Sequence, residues 1–88
     1  METQIIYSKS AKKAIEKYDK TTKHRIRAAI ERLLEVPPKG DIKLLQGFSD
    51  GRKRLRVGKY RIIYQFREDG TICVIYVMNI DSRGDIYK

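Results

Sequence analysis

The feature that most constrains this sequence is a change of hydrophobic period on either side of a segment rich in proline and glycine. Before that segment, apolar residues recur every three to four positions, as they do on one face of a helix. After it, apolar and polar residues alternate, which is typical of β-strands. The segment itself, residues 37–51, contains two prolines and three glycines and predicts one long loop.

The two periods predict a single domain over residues 1–88, of the α+β class. We expect an N-terminal strand and a two-helix hairpin packed on an antiparallel β-sheet of three or four strands. Ser8 or Ser10 is a suitable N-cap for the first helix, and the second helix should end before Pro37. The nearly continuous apolar run at 72–80 predicts a central strand covered on both faces. The predicted elements are a strand at 3–7, helices at about 8–19 and 21–35, and strands at 52–57, 60–67 and 72–80.

Charge gives the first indication of function. The chain carries 20 Lys and Arg against 11 Asp and Glu, a net charge of +9, and such a basic domain is expected to bind a polyanion. Cys73 is the single cysteine and lies in an apolar run, so we expect a buried thiol, and the lone His24 is expected at the surface. One His and one Cys cannot form a zinc site, and no nucleotide-binding glycine motif is present. We therefore expect no metal, no small-molecule cofactor, no membrane association and a cytoplasmic location.

The positive charge is concentrated in residues 52–61, where six of ten residues are Lys or Arg and none is acidic. Strand alternation places Arg52, Arg54 and Arg56 on one face, about 7 Å apart, a spacing suited to consecutive phosphates. The alternative is a solvated face whose charges serve solubility, although such faces normally mix both signs. Arg61 follows on the next strand, where it could hold a phosphate by two hydrogen bonds or pair with an acid such as Asp85.

The C-terminal segment carries two more candidates, Arg83 and Tyr87. A tyrosine is a poor base at neutral pH unless nearby cations lower its pKa, which a cluster of arginines would do. Alternatively, Tyr87 plugs one end of the core. Without a metal or a catalytic histidine, phosphodiester cleavage is still feasible on RNA, because its own 2′-OH can be the nucleophile.

Three segments together resemble the RelE/ParE toxin superfamily, and the resemblance covers essentially the whole chain. The first is Lys43-Leu44-Leu45-Gln46-Gly47, the second runs from Arg54 through Val57-Gly58 to Tyr64, and the third is Arg83-Gly84-Asp85-Ile86-Tyr87. In RelE-like members the resemblance implies a toxin of a type II toxin–antitoxin system that cleaves mRNA on the ribosome. It also implies that mRNA, the 16S rRNA of the ribosome and a small acidic, RelB-like antitoxin are the partners.

The resemblance also implies residue roles. Arg61 would stabilise the transition state, Tyr87 would act as general base, and Arg83 would stabilise charge or protonate the leaving group. RNA backbone contacts would come from the basic segment, namely Arg52, Lys53, Arg54, Arg56 and Lys59.

The chain departs from the family pattern at Ser82, where many relatives carry a histidine, so a histidine acid–base scheme is not expected. Gln46 and Gly84 likewise replace frequent arginines. Two alternatives stay open: a ParE-like inhibitor of DNA gyrase that acts by binding protein, and a catalytically weakened RNA-binding relative.

Overall fold

Two helices lie against one face of a five-stranded β-sheet, and the computed structural model describes residues 2–47, 49–69 and 72–82 of the chain. The α+β class and the N-terminal strand followed by a helical hairpin are confirmed. The elements in chain order are β1 (Glu2–Tyr7), α1 (Lys9–Glu16), α2 (Lys20–Glu31), a 3₁₀ turn (Arg32–Leu34), β2 (Asp41–Leu44), β3 (Lys53–Val57), β4 (Tyr60–Asp69) and β5 (Ile72–Ser82).

Both helices begin at side-chain caps. The Ser8 hydroxyl accepts a hydrogen bond from the backbone N–H of Ala11, and the Asp19 carboxylate accepts one from the backbone N–H of Thr22. The Ser8 hydroxyl also donates to the Met78 carbonyl at 2.7 Å, which joins the start of α1 to β5. Both helices end earlier than predicted, and α2 continues into the 3₁₀ turn before Pro37. Within the described residues, no helix is long and apolar enough to cross a membrane.

The sheet has the strand order β1-β5-β4-β3-β2. β1 pairs in parallel with β5, whereas the other neighbouring strands are antiparallel. The prediction of three or four strands was wrong, because β2 lies inside the segment predicted to be a loop. That strand has four residues and exposes Leu44 by 58%, so it shows no alternation of buried apolar residues that sequence analysis could detect.

The core lies between the helices and one face of the sheet. Alternate strand residues such as Leu55, Ile62 and Ile75 are fully buried there, against Ile26 and Ile30 of α2. Cys73 is buried on the same side, as predicted, and His24 is exposed, also as predicted. β5 is an interior strand, but the helices cover only one of its faces, so the prediction of cover on both faces was wrong.

The other side of the sheet is turned away from the helices, and we call it the open face. Residues in register on neighbouring strands lie on the same side of a sheet. Arg56 is in register with Arg61, and both lie on the open face. Leu55 is in register with Ile62, and both lie on the core side. The open face carries Asp41, Lys43, Arg54, Arg56, Arg61, Ile63, Gln65, Arg67, Val74, Tyr76 and Asp81.

Candidate functional site

Four charged residues form one line across the open face. The strand register places Asp41 of β2 opposite Arg56 of β3, Arg56 opposite Arg61 of β4, and Arg61 opposite Asp81 of β5. We call these four residues, together with Arg54 of β3, which pairs with Asp41, the charged row. Like charges directly opposite on neighbouring strands destabilise a sheet, so the Arg56–Arg61 pair at the centre of the row works against folding.

The outer carboxylates partly neutralise the inner guanidinium groups. Arg61 Nη2 donates to Asp81 Oδ2 at 3.2 Å, and Arg56 Nε lies 3.9 Å from Asp41 Oδ2. Arg54, one pleat along β3, donates from Nη2 to Asp41 Oδ1 at 3.2 Å. The expectation of a basic face without acidic residues was therefore wrong. The acidic residues of this face, Asp41 and Asp81, belong to strands that are distant from β3 and β4 in the sequence and become their neighbours only in the sheet.

The arginines of this site retain unused hydrogen-bonding capacity. The Nε atoms of Arg54, Arg56 and Arg61 are shielded from solvent and have no acceptor within the described part of the chain. Asp81 Oδ1 is likewise buried without a donor there. Buried polar atoms normally have partners, so the described residues leave these arginines incompletely paired. Arg56 and Arg61 are also 38% and 30% exposed, so a ligand with several acceptor oxygens can approach their guanidinium groups. A phosphate is a ligand of this kind.

Family comparison identifies the kind of protein that carries this site. The family model for the ParE toxin of type II toxin–antitoxin systems (parDE) matches residues 5–87. The chain belongs to this toxin family. No curated protein matches the sequence significantly.

Solved structures of related toxins have the same fold as this toxin. It is similar to RelE in the RelB–RelE antitoxin–toxin complex of Methanococcus jannaschii, with 25% identity, a TM-score of 0.66, and coverage of 93% of this chain and 94% of that one. RelE of the Pyrococcus horikoshii RelE–RelB complex is 26% identical, with a TM-score of 0.68 and coverage of 96% and 98%. The YoeB/ParE toxin of Agrobacterium tumefaciens is 18% identical, with a TM-score of 0.76 and coverage of 90% and 97%, and shows the fold alone.

Arg52 of the toxin lies just before β3 and is held by a nearby acid. Its Nη2 donates to Asp50 Oδ2 at 2.7 Å, and its Nε lies 3.1 Å from Asp50 Oδ1. This guanidinium holds the pKa of the Asp50 carboxyl below its usual value. Arg52 thus organises the loop before β3, whereas Arg54 and Arg56 join the charged row.

The two lysines predicted to contact RNA lie away from the charged row of the toxin. Lys53 is in register with the buried Tyr64, so it lies on the helix side of the sheet, opposite to Arg54. Lys59 occupies the turn between β3 and β4, where its Nζ lies 5.5 Å from the centre of the Tyr60 ring. Arg83 and Tyr87 lie outside the described residues, and the roles assigned to them remain predictions.

A second group of residues on the open face of the toxin was not predicted from the sequence. Gln65 is only 6% exposed, and its Oε1 accepts hydrogen bonds from Arg67 Nε at 3.0 Å and Arg67 Nη2 at 2.6 Å. Its amide nitrogen donates to the Asp50 carbonyl at 3.4 Å. The Arg67 guanidinium carbon lies 4.7 Å from the centre of the Tyr76 ring. The available signal was a glutamine in the middle of an apolar strand, but its partners depend on the strand register.

Proposed function

We propose that this toxin is a metal-independent endoribonuclease that cleaves mRNA on the ribosome. The observation that carries the proposal is the Arg56–Arg61 pair, two like charges held opposite each other with unused donors. A repulsive arrangement of this kind costs stability in the free protein and becomes favourable when a polyanion binds. The similarity to RelE of the two archaeal complexes, at 25% and 26% identity, favours the RelE-like activity that the sequence resemblance implies.

The mechanism follows from the chemistry of RNA. The 2′-OH attacks the adjacent phosphorus, and a negative charge develops on the pentacoordinate phosphorane. Arg61 is rooted in an interior strand and would stabilise this charge, while Arg54 and Arg56 hold the neighbouring backbone. Tyr87 would take the proton from the 2′-OH, and Arg83 would stabilise or protonate the leaving oxygen. Asp81 competes with the phosphate for the Arg61 guanidinium.

We further propose an acidic antitoxin as the partner of this toxin. The RelE structures from Methanococcus jannaschii and Pyrococcus horikoshii are complexes with RelB. A chain with a net charge of +9 and an open basic sheet face attracts an acidic protein by the same electrostatics that attract RNA. An antitoxin that covers the charged row would exclude RNA and so neutralise the toxin.

The cleavage proposal is tested by primer extension on mRNA from growing cells after the toxin is induced. We expect new 5′ ends within translated codons for the parent toxin and none for Arg61→Gln. Arg32→Gln is the matched control because it removes the same charge from an exposed residue paired with Glu35, remote from the open face. Intact mRNA with the parent toxin would overturn the proposal.

The role of Tyr87 is tested in a single-turnover cleavage assay on programmed ribosomes. Tyr87→Phe removes only the hydroxyl, and loss of a general base lowers such rates by about a hundred- to ten-thousand-fold. Ribosome binding by the variant should be nearly unchanged. Cleavage at the parent rate would show that Tyr87 is not the general base and that another group takes the proton.

A second candidate function is ParE-like inhibition of DNA gyrase, which the family match over residues 5–87 favours. A gyrase supercoiling assay with purified toxin distinguishes the two. Inhibition of supercoiling with intact mRNA supports the second function, and cleaved mRNA with normal supercoiling supports the first.

A further inference from the structure

Arg67 differs from the other arginines of the open face. Within the described residues, Arg54, Arg56 and Arg61 each lie within 4.0 Å of a carboxylate, whereas Arg67 forms no ion pair there. Among the described side chains, its charge is therefore not neutralised by a close acidic neighbour. The side chain is nevertheless exposed, so it is available to a ligand.

The Arg67 side chain is also held in place. Two hydrogen bonds to the buried Gln65 fix the guanidinium on one side, and the Tyr76 ring lies beneath it. An exposed arginine normally keeps considerable rotamer freedom, and ordering it costs free energy. Because the fold has already ordered Arg67, a ligand that stacks on this group does not have to supply that ordering energy.

We propose that Arg67 and Tyr76 form a stacking platform for one base of a single-stranded RNA. The proposal rests on the RNA substrate proposed above and deepens it by assigning a second contact point on the same sheet face. Protein sites for single-stranded RNA stack bases on aromatic rings and on arginine guanidinium planes, and the positive charge of an arginine adds attraction for the backbone. A guanidinium lying over an aromatic ring combines both features.

The platform lies at a suitable distance from the charged row. Arg61 and Gln65 are four residues apart on the same face of β4, which corresponds to about 13 Å. Tyr76 is the registered neighbour of Gln65 on β5. RNA held at Arg61 and running along β4 would thus reach the platform within about two nucleotides, at the phosphate spacing of roughly 7 Å that matches alternate strand residues. The half-buried Ile63 lies between the two points on the same face.

An acidic protein segment could also be attracted to Arg67, but it would not require a planar group. We favour RNA because the contacts that fix the conformation of Arg67 among the described residues are a planar ring and two directed hydrogen bonds to a neutral amide. Arg67→Lys is therefore the informative change. It keeps the charge and removes both the guanidinium plane and the paired donors.

The test measures binding of a short 2′-O-methyl RNA, which cannot be cleaved through a 2′-OH, to the full chain. One residue of the RNA is 2-aminopurine, whose fluorescence is quenched when it stacks. Fluorescence anisotropy gives the affinity, and a series of oligonucleotides moves the probe base along the strand. An abasic residue at the quenched position provides the matched RNA.

We expect quenching at one position of the RNA and a loss of about tenfold in affinity for Arg67→Lys, accompanied by loss of that quenching. Tyr76→Leu should behave in the same way, whereas Tyr76→Phe keeps the ring and should bind like the parent. Arg32→Lys is the matched control on the opposite side and should change nothing. The abasic RNA should bind parent and Arg67→Lys equally, because the stacked base is then missing from both.

Equal affinity of parent and Arg67→Lys for the intact RNA, or no RNA binding at all, would overturn the platform. The same holds if Arg67→Lys weakens only binding of an antitoxin. Cleaved mRNA in cells with an unaffected Arg67→Lys variant would leave the nuclease proposal intact and remove the platform. RNA binding that is weakened by Arg67→Lys, without any cleavage of mRNA, would support the platform and overturn the nuclease proposal.

Discussion

Asp81 of β5 lies opposite Arg61 of β4, and its Oδ2 accepts a hydrogen bond from Arg61 Nη2 at 3.2 Å. Both side chains are about two-thirds buried, with exposures of 31% for Asp81 and 30% for Arg61. Asp81 thus occupies the guanidinium that the proposed mechanism requires for the phosphate. It also holds Arg61 in position when no RNA is bound, so the phosphate competes with this carboxylate for the guanidinium.

This relationship makes Asp81→Asn a sensitive probe. The amide has the same shape but does not compete with phosphate as a charge, so RNA affinity should rise. A partly exposed ion pair contributes about 0.2–1 kcal/mol, which corresponds to a gain of up to about fivefold. Fluorescence anisotropy titration with a non-cleavable RNA measures this change in affinity. Glu35→Gln, which removes the same charge from the exposed Arg32 pair, is the control. A fall in RNA affinity for Asp81→Asn, or an equal gain in both variants, would show that Asp81 does not compete with phosphate for Arg61.

The charged row should determine the salt dependence of RNA binding. Each phosphate contact to a single strand contributes about 0.7 to the slope of log affinity against log salt. We therefore expect the double variant Arg54→Gln and Arg56→Gln to flatten this slope by about 1.4. The double variant Lys13→Gln and Lys17→Gln removes equal charge from exposed positions of α1 and its C-cap and should leave the slope unchanged. Equal slopes for both double variants would exclude backbone binding by the row.

Gly40 should be the more costly of two glycines to replace. It has a φ of +133°, and an added Cβ would lie 2.7 Å from Cδ1 of the buried Leu55. Gly51 has a φ of +73° but nothing within 4 Å of such a Cβ. Gly51→Ala should therefore lower the free energy of unfolding by only about 1–2 kcal/mol, through backbone strain. Gly40→Ala should lower it by a further steric cost of about 1–3 kcal/mol. Urea unfolding compares the free energies of unfolding. Equal losses would show that Leu55 moves aside freely.

Cys73 should resist alkylation in the native protein. The thiol is 4% exposed, and burial raises its pKa, with a further contribution from Glu68. Because the thiolate is the reactive form, iodoacetamide should label native toxin near pH 8 far more slowly than toxin unfolded in urea. Mass spectrometry follows the labelling. Similar rates in both states would show that β5 opens readily at this position.

Local sequence patterns were sufficient to predict the N-terminal strand, the two helices and the last three strands in their correct order. The stripe that includes Ile26 and Ile30 has the helical period, and Leu55 and Val57 alternate with arginines, so each pattern can be recognised within a few residues. The concentration of charge in residues 52–61 indicated Arg54, Arg56 and Arg61 as candidate site residues, and the family resemblance then implied their roles. β2 escaped prediction because four mostly exposed residues form a strand only by pairing with β3.

The arrangement of charge depends on the strand register and therefore on tertiary structure. Asp41, Arg56, Arg61 and Asp81 are spread over 41 positions of the chain, yet pairing of four strands aligns them in one row. Gln65, Arg67 and Tyr76 meet for the same reason. A shift of one residue in pairing would turn each of these side chains to the other face of the sheet, and packing of the whole core selects the register. The identities of the basic residues are therefore local information, whereas their partners result from long-range packing.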